Sequence, residues 1–130
     1  MKTQFAALAV AIISMLCMLL LSSHAVAHHG WSWTTGANIE LTGVITDVRL
    51  GNPHGRLKVD VNGETWLIEV GQPWRNERAG LREGDLAKGV EIRIIGEPSD
   101  DIEEKRLKAV KLFLGDREYI LYQESEKAIF

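Results

Sequence analysis

The chain has 130 residues, with 15 Lys and Arg against 18 Asp and Glu, for a formal net charge of -3. That length holds one domain. The mild acidity, and the absence of any Lys or Arg cluster free of interleaved carboxylates, exclude a bulk nucleic-acid binder, because neutralising phosphates requires a cationic face.

Hydropathy is unevenly distributed. Residues 5–21 are apolar except for Ser14, and nearly all the charge lies beyond them. Lys2, this apolar stretch and Ser22-Ser23-His24-Ala25-Val26-Ala27 form the three parts of a secretory signal, ending in the A-x-A pattern Ala25-Val26-Ala27. The expectation is a signal peptide over 1–27, cut after Ala27, that delivers the rest of the chain to the periplasm. The alternative is an uncleaved anchor, for which the apolar stretch is marginally short, since a spanning helix needs about 20 residues. After cleavage no stable membrane insertion is expected. Cys17, the single Cys, leaves with the signal, so the exported chain is expected to have no disulfide and no thiolate metal site.

From Ile39 onward the chain reads as short strands separated by turn residues. Ile39, Leu41 and Ile45 alternate with polar neighbours, whereas Val44, Val48 and Leu50 follow the opposite phase, which predicts a bend or bulge near Gly43. Gly51-Asn52-Pro53 breaks this first strand. Leu57, Val59 and Val61 form the apolar side of a second strand, Asn62-Gly63 marks a tight hairpin, and Trp66, Ile68 and Val70 face inward from a third.

Pro73 opens a short helix expected over 73–83, with Trp74 and Leu81 one i,i+7 step apart. Arg75, Arg78 and Arg82 alternate there with Glu77 and Glu83 and read as a solvated face. Val90, Ile92 and Ile94 define a fourth strand. An acidic loop over 99–104 lacks the ligand spacing of a calcium loop. A fifth strand is expected over 107–114 and a short sixth over 117–122.

The predicted fold is therefore all-β. It is a small five- to six-stranded OB-like barrel with one short helix between strands 3 and 4, preceded by a cleaved signal peptide. A six-stranded sandwich is the alternative. The expected organisation is 1–27 signal, 28–38 N-terminal arm, 39–122 barrel and 123–130 tail.

Cutting after Ala27 exposes His28-His29-Gly30-Trp31-Ser32-Trp33 as the new terminus. A terminal His offers its free amine and its own ring nitrogen to one metal, and a second imidazole completes a T-shaped three-nitrogen set. All-nitrogen tetragonal ligation favours Cu(II), by geometry and by the Irving–Williams order. As free groups the amine titrates near ~8 and imidazole near ~6.5, so neither proton obstructs copper near neutral pH. His54, presented by the Asn52-Pro53 turn, is the candidate distant ligand, and His29 is a spare ligand or a supporting donor. A cut after Ala25 would instead put His28 third, where backbone amides join the set. Trp31 and Trp33 would share a face on an extended arm, and are expected chiefly to staple it to the barrel.

The chain resembles the Domain of Unknown Function 6152 family of small exported bacterial proteins. The residues that carry the likeness are His28-His29, Leu41-Thr42-Gly43-Val44-Ile45, Asn52-Pro53-His54, Trp66 with Glu69, and the stretch 90–96. The resemblance implies a periplasmic, OB-like domain and brings no established activity.

No visibly activated Cys or Lys and no Ser-His-Asp arrangement stands out, so the chain is expected not to be an enzyme. The expectation is a periplasmic binding protein, with copper (Cu2+) as ligand and His28, His54 and His29 as its metal residues. The second expectation is a metal-free OB-like interaction module that meets a protein partner through Trp31, Trp33 or the barrel face.

Overall fold

A computed structural model describes residues 30–123, together with 3, 4 and 6. The rest of the expected signal segment, His28, His29 and residues 124–130 lie outside the described residues.

Six strands and one short helix follow in the order β1 (Ile39–Arg49), β2 (Arg56–Val61), β3 (Glu64–Glu69), α1 (Pro73–Arg78), β4 (Glu91–Pro98), β5 (Arg106–Leu114) and β6 (Arg117–Ile120). The sheet order is β3-β2-β1-β4-β5-β6, and a further pairing of β3 with β5 closes the first five strands into a barrel. That closing pairing is parallel, whereas the others are antiparallel. This is the five-stranded OB-like barrel with its helix between the third and fourth strands, and β6 is an extra strand on its margin. The sandwich alternative does not apply, because one continuous sheet closes on itself.

Period-two alternation fills the interior. Leu57, Val59, Ile68, Ile92, Ile94, Leu107 and Leu112 are fully buried together with Ile45 and Val70. Each such side chain contributes about 1.5–3 kcal/mol relative to exposure. The β2–β3 hairpin turns at Asn62 and Gly63, both at positive φ (54° and 85°), as the two-residue turn requires.

Two local expectations change. The register of β1 against β2 shifts between Ile45 and Asp47, not at Gly43. Gly43 marks a close crossing instead, since a Cβ there would overlap the Asp60 carbonyl. The helix also stops at Arg78 and does not run to residue 83. Gly80 takes φ 100°, its N–H reaches the Glu77 carbonyl, and the Leu81 N–H reaches that of Asn76. This left-handed cap satisfies the last carbonyls and ends the helix. Leu81 and Leu86 then turn inward to the core. Among the described residues no helix is long and apolar enough to cross a membrane.

Candidate functional site

Barrel closure creates a row of charge across four strands. In register, Arg56 of β2 pairs with Glu69 of β3, Glu69 with Lys108 of β5, and Lys108 with Glu97 of β4. Directly paired residues point to the same side of a sheet, so the row alternates cation, carboxylate, cation, carboxylate. Three of its four members are buried, with exposures of 3% for Glu69, 2% for Lys108 and 5% for Glu97. Charges so removed from water persist only when paired. Arg106 adds a 2.7 Å bond from its Nη2 to Glu69 Oε1, while the Arg56 Nε stands 4.0 Å from the same oxygen.

The N-terminal arm covers this row. Lys108 Nζ donates to the Gly30 carbonyl at 2.7 Å and lies 4.7 Å from the centre of the Trp31 ring. Trp31 meets Tyr122 edge-on at 5.0 Å. Trp33 lies over the Arg106 guanidinium at 3.8 Å, and Thr34 Oγ1 donates to Glu97 Oε2 at 2.7 Å. Backbone bonds from Thr35 to Pro98 and from Asp100 to Trp33 complete the attachment. The two tryptophans therefore act as a staple, as their composition suggests. They do so from a turn, closed by the Thr34 N–H on the Trp31 carbonyl, and not from an extended arm.

His54 is placed by the loop between β1 and β2, after a cis Asn52–Pro53 peptide. Gly55 fixes the exit from that loop, because its N–H reaches the Gly71 carbonyl and its own carbonyl accepts from Val70. A Cβ on Gly55 would press into Val70 and Leu50, so no side chain fits beside the histidine there. The His54 imidazole is partly buried and its Nδ1 is enclosed without a hydrogen-bond partner. Burial holds its pKa below the ordinary histidine value, and Lys108 pushes it in the same direction, against Glu69, with smaller downward effects from Arg56 and Arg106. A histidine in that state is neutral around pH 7 and presents a lone pair. Burial likewise lowers the Lys108 ammonium from the usual lysine range, opposed mainly by Glu69.

Of the three expected metal residues, His54 belongs to this cluster, whereas His28 and His29 fall outside the described residues and immediately precede Gly30. Among the described residues no three His, Cys, Asp or Glu side chains stand together in a way that could hold a metal ion.

The buried row itself is not apparent from the pattern alone. Lys108 and Arg106 alternate with apolar residues as solvent-facing strand residues do, and only the parallel pairing of β3 with β5 puts Glu69 beside them. Arg75 also departs from the solvated face expected of it. Its guanidinium packs between Trp74 and Tyr122, at 4.7 and 4.2 Å, and its Nη1 reaches the Leu121 carbonyl.

Fold and site define a small OB-like barrel whose closing seam carries a buried charge ladder roofed by an N-terminal arm. The chain belongs to the family of unknown function DUF6152, whose profile matches residues 15–108. No curated protein matches it. Among solved structures, the crystal structure of the ZRD-deleted mutant of TiaS in complex with agmatine is similar at 15% identity and a TM-score of 0.48. The match covers 65% of this chain and 26% of that one, so the chain spans about a quarter of that protein.

Proposed function

We propose that this protein is an exported, periplasmic binding protein, not an enzyme, and that it takes up Cu(II) through the amine and ring of a processed terminal His28 together with His54, with His29 as a supporting donor. The observation that carries this reading is the hydrogen bond from Lys108 to the Gly30 carbonyl. It brings the start of the arm onto the same cluster whose charges act on His54, and His28 is two residues upstream of Gly30.

The donor chemistry is consistent with this reading. His54 is held neutral, so copper displaces no proton from it. Three nitrogen donors suit Cu(II) better than the oxygen-preferring Mg2+ or Ca2+. The neighbouring cations Lys108, Arg56 and Arg106 oppose the metal's charge, and the buried carboxylates Glu69 and Glu97 offset them.

The test is a Cu(II) competition titration of the exported protein, of His54→Ala, and of a variant with one extra residue before His28. Wild type should bind one ion and both variants should bind at least about tenfold more weakly, the equivalent of losing one ligand worth about 1.4 kcal/mol. Equal binding by all three would remove His54 and the terminal amine from the set. Absence of saturable binding in wild type would leave a metal-free interaction module working through the barrel face, because the rings of Trp31 and Trp33 are already engaged on Lys108 and Arg106.

A further inference from the structure

We propose a binding site for a phosphate-sized oxyanion in the groove on the outer face of β1, β2 and β3, held by Arg49, Arg56 and Lys58. The site depends neither on copper nor on the amino-terminal arm.

The alternation of charge across the sheet breaks at this point. The row of Arg56, Glu69, Lys108 and Glu97 continues on its other side into β1, where the residue directly opposite Arg56 is Arg49. Like charges in directly opposed positions destabilise a sheet. The nearest carboxylate of the row is committed elsewhere, since Glu69 already receives Arg106 at 2.7 Å and the Arg56 Nε stays 4.0 Å away.

The bulge in β1 builds this conflict. Continued without a shift, the register of Ile45 against Val59 would set Arg49 against Gly55, whereas the shift between Ile45 and Asp47 sets Arg49 against Arg56 and Asp47 against Lys58. A one-residue slip exchanges the two faces of a strand, so the bulge brings Asp47 and Arg49 to the side that carries Arg56 and Lys58. Bulges that re-aim side chains in this way recur beside functional sites.

These four side chains line a groove of about 220 Å³, with Leu67 in its wall. Three cations meet one carboxylate there. Asp47 takes the Arg49 Nε at 3.4 Å, and Lys58 forms no ion pair among the described residues. Such an excess of positive charge is notable on a chain of net charge -3. Guanidinium groups hold oxyanions through paired N–H donors, and an ammonium adds a compact charge. An anion between Arg49 and Arg56 converts their repulsion into a bridge, with Lys58 as the third donor.

The test is a titration of inorganic phosphate into the metal-free exported protein at constant ionic strength, read from amide chemical shifts. Saturable shifts centred on residues 47–58 are expected. Arg49→Gln, Arg56→Gln and Lys58→Gln should each weaken binding by about threefold, as for solvent-exposed ion pairs, and the Arg49→Gln, Arg56→Gln double variant should not saturate. Arg117→Gln, on β6, should bind as wild type does. Without phosphate, Arg49→Gln should melt no lower than wild type, because it relieves the opposed charges. Phosphate should raise the melting temperature of wild type and not of the double variant.

Vesicles of phosphatidylcholine with and without phosphatidylglycerol separate the sources of the phosphate. Saturable phosphate binding without retention on either vesicle supports a free ion as the ligand. The same binding with retention on phosphatidylglycerol, lost in the double variant, supports a lipid headgroup. Shifts that never saturate, or that saturate equally in the double variant, would overturn the site. Retention on phosphatidylglycerol without any response to inorganic phosphate would also overturn it and would make the groove a membrane-surface contact.

Discussion

Lys108 of β5 stands directly opposite Glu69 of β3 in the parallel pairing that closes the barrel, and both side chains are buried. The same junction brings Arg106 of β5 to Glu69, so that the 2.7 Å ion pair between them forms as the barrel closes. Removing one partner of a buried pair leaves the other uncompensated, which costs about 3–5 kcal/mol, more than the pair itself contributes. Glu69→Gln should accordingly lower the urea midpoint strongly with little change in slope. Combining it with Lys108→Met should cost less than the sum of the single changes, although Arg106 then keeps part of the penalty through its 2.7 Å bond to Glu69. Strict additivity in equilibrium unfolding would show that the two residues do not interact.

Gly96 and Gly43 sit where neighbouring strands pass too closely for a side chain. A Cβ on Gly96 would overlap the Lys108 carbonyl oxygen, and one on Gly43 the Asp60 carbonyl oxygen, both backbone atoms that cannot swing aside. Alanine at either position should destabilise by about 2 kcal/mol or more, through forced backbone shifts. Ala at Gly51, where a Cβ meets nothing within 4 Å, should stay within about 0.5 kcal/mol. Thermal melts of the three variants check this ordering.

His54 makes stability depend on pH with a definite sign. In the unfolded chain its imidazole takes up a proton near ~6.5, and in the fold it does so only at lower pH, because of burial and then Lys108. Between those two values the unfolded state binds more protons, so stability falls as pH drops below about 6.5 and stops falling below the folded pKa. In the metal-free protein, the stability of wild type relative to His54→Gln should decline from pH 7.5 to pH 5. A constant difference across that range, read from urea midpoints, would contradict the assigned environment.

The fold was largely legible in the residues because its determinants are local. Alternation in 57–61 and 90–94, the Asn62-Gly63 turn and Pro73 at the helix start each act over a few positions. The expected strands therefore fall close to the observed ones. The shorter helix turns on Gly80, whose left-handed cap outweighs the continuing Trp74–Leu81 periodicity. The phase change in β1 points to a bend or bulge near Gly43, whereas Gly43 answers to a crossing strand and the register shift falls between Ile45 and Asp47.

The candidate site was legible only in part. His54 stood out as a histidine at a proline-set turn. Lys108, Glu69, Glu97 and Arg106 did not, because their burial follows from the β3–β5 junction, which links positions 37 apart in the case of Glu69 and Arg106. A lysine flanked by Leu107 and Ala109 looks the same in sequence whether its strand faces water or an arm. The apolar bulk of Trp31 points to a staple, but its partners Lys108 and Tyr122 lie far along the chain.

The central claim is that one Cu(II) is shared by the processed terminus and His54. Its most direct measurement is electron paramagnetic resonance of the exported protein, beginning at His28 and loaded with one equivalent of Cu(II), with hyperfine splitting used to count the coupled nitrogens. The account predicts three, the amine and two imidazoles, falling to two in His54→Ala. An identical nitrogen pattern in wild type and His54→Ala would contradict it.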